Sequence, residues 1–467
     1  MKPLTQRLPH FLFLAALLLG AACTEILDVE VPGDQLKEDE AITSQQDVME
    51  VLQSCYDVNA NIYNGRIQYA NELLGDNVSL QNNSGDLGQI FSHSVSIFNG
   101  TVSGIYGDPY ITIFRANRLL ELLEEFPFSA AERTEIEAQV YFLRAISHWE
   151  VLKLWAQPYG YTADNSHPGV VYKTSTDVKV LARATVAESY QNIIADLERA
   201  INSGGLPQKD PYRASVDAAR AYLAEVYFQK GDYQQAATEA ATVIGSNRYQ
   251  LDTIIDRFQP DTAVVPEIIF KTRSFQPNND LRSTAFTNNY RSDLAQPPFI
   301  RASGEFFENY RNDTLDRRVN AWLELRDAGT PDEYVAINRF NKPYFDVPVK
   351  HLTGLKLLRA QALLLSGGDV NTAIGDVNDI RERAYGSDTM NIPLNTPQAT
   401  VLEAVKKERR LEMLGEGDRI QQLKRRGALE GENILIRDHP WNCDGMILQF
   451  PATERTEEFE INPQGGC

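Results

Sequence analysis

The chain has 467 residues, 64 acidic and 45 basic, for a formal net charge of −19. That balance excludes a nucleic-acid binder, which needs a net cationic face for phosphates, and attachment to anionic lipid by charge alone. The length permits one large core or two packed subdomains.

At the N-terminus, Lys2 and Arg7 precede an apolar run over 11–20, followed by Ala21, Ala22 and Cys23. A basic end, a short apolar stretch and small residues make a secretory signal peptide. The run is too short to remain as a membrane-spanning helix. A Cys at the cleavage point resembles a bacterial lipoprotein lipobox, although Leu19 sits one position further from the Cys than the usual aliphatic residue. Residues 1–22 then read as a removed leader and Cys23 as the acylated lipid anchor. Because Lys2 and Arg7 leave with the leader, the remaining 445 residues carry a formal charge of −21. One acyl chain anchors only marginally, whereas two or more hold firmly.

Residues 24–42 read as extended and acidic. Thr43 or Ser44 caps a helix whose apolar positions, among them Val48, Val51, Leu52, Cys55 and Tyr56, recur at helical spacing. A loop rich in Asn, Ser and Gly runs from about 75 to 105. Helical periodicity returns over 110–125, with Ile111 and Phe114 among its apolar positions, and again over about 130–155, where Pro158-Tyr159-Gly160 ends it. Further helices follow at 185–202, 215–230 and 233–246. The stretch from about 250 to 350 loses periodicity and reads as mostly loop with short elements. Helices resume at 352–365, 370–383, 396–414 and about 417–427, before a tail over 428–467. Cys443 and Cys467 both lie in that tail and can pair in a compartment that permits disulfides, while Cys55 suits a small buried hydrophobe. The cysteines show no CxxC spacing and the histidines no HExxH, so neither a metal nor a cofactor is indicated.

The pair at 215–246 carries a repeat signal. Ala219, Leu223, Ala224, Tyr227, Gly231, Tyr233, Ala236 and Ala240 follow tetratricopeptide spacing, with small residues for close helix approach and Gly231 at the turn. Two further helix pairs look like degenerate copies. The expected fold is mainly α: a tetratricopeptide-like scaffold over about 43–250 and 351–427, with an irregular, loop-rich ligand-binding subdomain over about 251–350.

Several motifs together resemble the SusD/RagB family of outer-membrane nutrient-binding lipoproteins. They include Cys23 with Leu27-Asp28 and Pro32, then Leu143-Arg144-Ala145 with Pro158-Tyr159-Gly160, and Asp196-Leu197 with Leu206-Pro207. Asn378-Asp-Ile-Arg381-Glu-Arg383 follows. Glu408-Arg-Arg-Leu-Glu412 with Glu416-Gly417-Asp-Arg419 is the most specific, and Gln449-Phe-Pro451 with Asn462-Pro463 matches at the tail. The chain departs from the pattern at His351 and Gly354, where an Arg and a Glu are usual, at Gly415 in place of a Phe, and at Cys467 in place of a final aromatic. The resemblance implies a lipid-anchored, surface-exposed protein of the outer membrane that captures an oligosaccharide and delivers it to a SusC-like TonB-dependent transporter without cleaving it. A peptide-binding relative is the alternative, and a lipid-anchored glycosidase a lesser one.

The cluster at 408–419 concentrates carboxylates and guanidinium groups, as a glycosidase site would. Its helical spacing favours a structural ion-pair network instead: Arg409 and Glu412 lie one turn apart, and Arg419 is expected to reach back to Glu412 or Glu416. Arg144 has the same reading, so no catalytic residue is assigned. Sugar binding needs aromatic faces beside polar side chains on loops held by a rigid scaffold. The candidates singled out are Tyr290, Arg291, Trp322 and Phe340 in the irregular segment and Phe98 in the early loop, which also offers Phe91 and Tyr106.

Overall fold

The computed structural model describes residues 41–467 apart from 180, 261 and 458, so Cys23 and its leader lie outside the described residues. The chain divides into units Met1–Met49 and Glu50–Cys467, and the second holds the helical stack and the irregular segment. Its helices form where caps and apolar phase agree. Ser129 and Glu132 make a reciprocal capping box at the start of one long helix, and Thr185 and Glu188 make another. Gly231, at φ 89°, supplies the left-handed turn that folds two further helices into a pair.

Among the described residues the helices are, in chain order, α1 (Gln45–Ile62), α2 (Arg66–Leu74), α3 (Gly85–Phe91), α4 (Gly100–Glu125), α5 (Ala130–Trp155), α6 (Val186–Asn202), α7 (Val216–Lys230) and α8 (Tyr233–Ile244). After the irregular segment with its short helices α9 (Thr284–Tyr290), α10 (Gly304–Tyr310) and α11 (Arg317–Trp322) come α12 (Leu352–Ser366), α13 (Val370–Tyr385), α14 (Gln398–Glu412) and α15 (Arg419–Leu429). Neighbours pack in sequence from α4 to α8, and α12 lies directly on α8. The irregular segment therefore loops out and leaves the tetratricopeptide-like stack unbroken. The far end of that stack is an aliphatic core of Leu357, Leu364, Ile374, Val377, Ile380, Val401 and Val405.

A short strand from the early Asn-rich loop, β1 (Val78–Leu80), reaches into the irregular segment. That segment is stitched at its base by β2 (Ile268–Thr272) pairing antiparallel with β6 (Val347–His351). Between them run β3 (Ile300–Ala302), β4 (Leu323–Arg326) and β5 (Tyr334–Ile337). These three join β1 in a sheet of order β1-β3-β5-β4, in which Val78 pairs with Ala302. The two irregular regions are thus one structure.

Two expectations for the early loop are corrected: it holds the short helix α3, and the next helix starts ten residues sooner. The helix read as starting at 110 begins at Gly100 and runs through Pro109, because the Asn99 side chain caps it by accepting the Val102 N–H. Proline removes one donor from a helix interior, and 26 residues of helix with a buried face on α5 outweigh that local cost. In the tail, Cys443 and Cys467 form a disulfide, and Cys55 is free and buried. No helix among the described residues is long and apolar enough to cross a membrane.

Candidate functional site

Three of the residues expected to meet a ligand lie in the interior. Tyr290 and Phe340 are fully buried and Trp322 is 1 % exposed. Tyr290 and Phe340 pack with ring centroids 4.9 Å apart, and Phe286 and Phe258 each lie 5.0 Å from Phe340. The Arg339 guanidinium covers this knot, 4.2 Å from the Trp322 ring and 4.6 Å from Phe258. This corrects the expectation that Tyr290, Phe340 and Trp322 present faces to a sugar. A segment of short strands and loops has no long helix face to bury, so its aromatics join strand residues such as Ile300, Val335 and Ile337 in its core. The knot also accounts for Gly415: a Cβ there would lie 2.6 Å from Phe340, and φ is +81°. Arg291 turns onto its neighbour Asp293 in a bidentate pair at 2.8 and 2.6 Å. Phe98 alone of the five is open, at 80 % exposure.

Beneath the knot lies a buried ion-pair centre. Glu412, fully buried, accepts from Arg257, from Arg318 at 2.6 Å and from Arg383 at 2.5 Å. Glu416 takes Arg257, Arg339 at 2.9 Å and His351 at 2.9 Å. His351 caps α12 through Nδ1, which accepts the Gly354 N–H at 3.0 Å, so it stands neutral with its Nε2–H on Glu416. A Cβ at Gly354 would lie 3.1 Å from the imidazole, which ties both departures to this contact. The expected partners of two arginines need correction. Arg409 is bidentate to Asp418, at 2.9 and 2.7 Å, and Arg419 to Asp76, at 2.7 and 2.8 Å. Gly415 and Gly417, both with positive φ, turn the chain after α14 so that Arg419 faces the loop before β1. Arg144 is bidentate to Asp196 at 2.7 and 2.8 Å.

Burial alone would raise the pKa of these carboxyls, but the surrounding guanidinium groups outweigh it. They hold Glu412 well below the usual range and, together with His351, hold Glu416 at about 2. A proton donor for glycosidic cleavage needs the opposite shift.

The open site lies on the solvent side of α4. The core stripe of that helix includes Ile105, Ile113, Ala116, Leu119 and Leu123, all at most 4 % exposed. Ile111 and Phe114 fall on the opposite side of the helical wheel and stand 45 % and 48 % exposed. They line a groove with a cavity of about 560 Å³, a size that suits a small-molecule ligand. One wall is the loop over 171–179 with Leu181, closed at its base where Gly169 donates to the Ala184 carbonyl at 2.7 Å. The other wall is the tail, through Pro451, Thr453, Glu454, Thr456 and Phe459. Tyr106 and Tyr110 form the floor, with ring centroids 4.8 Å apart. Hydroxyls of Ser103, Ser175, Thr176 and Thr453, the carboxyls of Asp177 and Glu454 and the ammonium groups of Lys173 and Lys179 supply polar groups, with Lys179 3.7 Å from Asp177. Burial raises the Glu454 pKa against the pull of the Tyr106 hydroxyl. The Ile97 carbonyl accepts from Ala452 N at 2.9 Å, which brings the exposed Phe98 beside the tail wall. Of the expected residues Phe98 lies near this groove and Tyr106 forms part of its floor. Ile111 and Phe114 read in the sequence as ordinary helix positions, although their phase on α4 was the signal available.

A family profile described as starch-binding and associating with the outer membrane matches residues 25–228, and one described as the SusD family matches 352–453. Neither reaches the irregular segment. Two SusD-like proteins of Formosa agariphila are similar throughout. One is 24 % identical over 454 residues, covering 84 % of this chain and 86 % of the relative. The other is 23 % identical over 477 residues, covering 89 % and 90 %. Among solved structures, a SusD superfamily protein from Bacteroides thetaiotaomicron superposes with a TM-score of 0.78 at 21 % identity, covering 90 % of this chain and 100 % of that one. A laminarin-binding SusD-like protein gives 0.69 at 20 % identity over the same shares. Profiles matched in order at both ends of the chain, with a fold shared nearly end to end, show that the chain belongs to the SusD/RagB family.

Proposed function

We propose that this chain is an outer-membrane lipoprotein, anchored through Cys23, that binds an oligosaccharide in the α4 groove and hands it to a TonB-dependent transporter without cleaving it. The observation that carries the reading is the exposed Phe114–Ile111 face over a tyrosine floor, bordered by hydroxyls, two carboxyls and two lysines. Such a surface stacks on the C–H face of a pyranose and bonds its hydroxyls. The laminarin-binding relative and the starch-binding family description support the ligand class. Calorimetry against maltoheptaose, laminarihexaose and a mixed peptide library tests it. Oligosaccharide binding that weakens in Phe114→Ala is the expected result. Peptide binding, or oligosaccharide affinity indifferent to Phe114, overturns it. Release of Cys23→Ala from membranes tests the anchor.

A further inference from the structure

The two walls of the groove come from distant parts of the chain, and neither contains an α-helix or a strand of the main sheet. A ligand site so built needs something to hold its walls at a fixed separation. Arg183, at the base of the 171–179 loop, bonds to the chain just before the loop wall and just after the tail wall. Its Nε donates to the Gly169 carbonyl at 2.8 Å and one terminal nitrogen to the Pro168 carbonyl at 3.1 Å, which fixes the base of the loop. The other terminal nitrogen donates to Asn462 Oδ1 at 2.9 Å and the Glu460 carbonyl at 3.2 Å, which fixes the tail. A further bond to the Trp155 carbonyl, at 3.3 Å, ties the pair to the end of α5.

The guanidinium also lies 4.8 Å from the ring of Phe450. That ring contacts Tyr106 on the groove floor at 5.6 Å and Phe459 on the tail wall at 5.0 Å. Every one of these hydrogen bonds ends on a carbonyl or amide oxygen. Among the described residues no carboxylate is hydrogen-bonded to Arg183, and burial pulls its pKa down to about 10. The arrangement costs desolvation that a surface ion pair would avoid, and it uses the planar five-donor fork that only arginine has.

We propose that Arg183 is the positioning residue of the groove, a single guanidinium that sets the distance between its loop wall and its tail wall and thereby its affinity for ligand. This rests on reading the groove as the ligand site. Lysine, a point charge with three donors on a flexible stem, cannot span Gly169, Pro168, Asn462 and Glu460 together.

The test uses the full chain. Hydrogen–deuterium exchange without ligand compares wild type with Arg183→Lys, and calorimetry follows with maltoheptaose and laminarihexaose. Arg183→Gln, which carries no charge into the site, serves where the lysine variant does not accumulate. The expected result is at least tenfold faster exchange in both 171–179 and 451–457, unchanged exchange in α7, α8, α12 and α13, and an affinity at least tenfold weaker. Loosening of one wall alone, or of neither, overturns the proposal whatever the sugars do. So does loosening of both with affinity intact. If wild type binds neither sugar, the ligand reading of the groove fails, and the exchange data still decide whether Arg183 couples the walls.

Discussion

Phe258, Phe286, Tyr290, Phe340 and Phe345 turn their rings on one another and are at most 1 % exposed, whereas Ile111 and Phe114 on α4 stand nearly half open. The difference follows from what else each region has to bury. The irregular segment from Phe258 to β6 has short strands and loops and no long helix face, so its rings serve as core beside the aliphatic residues of the strands. α4 already buries a full stripe against α5 and has no structural need for a phenylalanine on its outer side. An aromatic residue in an irregular segment is therefore weak grounds for a binding site, and an apolar residue out of phase on a well-packed helix is stronger.

The sharpest way to break this contrast is to attack the charge centre under the aromatic knot. Glu412→Ala leaves Arg257, Arg318 and Arg383 around an empty site, and Arg339 loses a favourable neighbouring charge. The expected loss is at least about 3–5 kcal/mol, read from urea unfolding at pH 7. A loss below about 1 kcal/mol would mean that the network does not support the knot. Wild type should also unfold in acid. Glu412 and Glu416 have folded pKa values below the ordinary 4.5, Glu416 at about 2, so the stability they contribute is complete above 4.5 and disappears as pH falls towards 2. His351 works in the same direction: its pKa is lowered from 6.5, so it remains neutral in the fold and gains its proton on unfolding.

Trp322→Ala removes the ring beneath Arg339 and should cost about 3–5 kcal/mol in the same assay. Protein that still folds should keep the oligosaccharide affinity of wild type. A selective loss of binding with stability intact would return Trp322 to the ligand site.

Glu72 sharpens the comparison from the other side, because here burial wins. With Asp76 and Asp418 nearby, its pKa is raised to about 8. The folded state holds this proton up to about pH 8 and the unfolded state releases it near 4.5, so its contribution is full below 4.5 and is lost as pH rises through 8. Glu72→Gln keeps an acceptor for the Gly417 N–H and removes the titration. It should be the more stable protein at pH 8, by on the order of 2–4 kcal/mol, with the gap closing towards pH 4.5. Parallel stability curves would show that Glu72 is ionised in the fold.

Much of the scaffold was legible in the sequence because helix signals are local. Ser129 with Glu132, Thr185 with Glu188 and Gly231 each fix a boundary within a few residues. The start of α4 was hidden because Pro109 looks like a terminator, while the cap that sets the start is Asn99, ten residues earlier. The charged residues at 408–419 announced a network, but Asp76 and Asp418 as the partners of Arg419 and Arg409 depend on a turn made by two glycines. The groove was least legible, since its walls lie far apart in the chain and meet only through long-range bonds such as those of Arg183.

Phe114→Ala carries the smallest stability change and the clearest functional one. The side chain is 48 % exposed on a helix whose core stripe lies on the other side, so stability should stay within about 0.5 kcal/mol of wild type. Removing the ring takes away a half-exposed aromatic face of the groove, and affinity for the bound oligosaccharide should fall about tenfold, or roughly 1.4 kcal/mol. Trp322→Ala should give the inverse pattern: stability lost and affinity kept. The pair forms a double dissociation in which each variant controls for the other. Had residue type decided the site, Trp322 would be the binding variant and Phe114 the silent one. Calorimetry and urea unfolding on the same two proteins therefore decide whether phase on a packed helix or aromatic content of a loop marks where this fold meets its ligand.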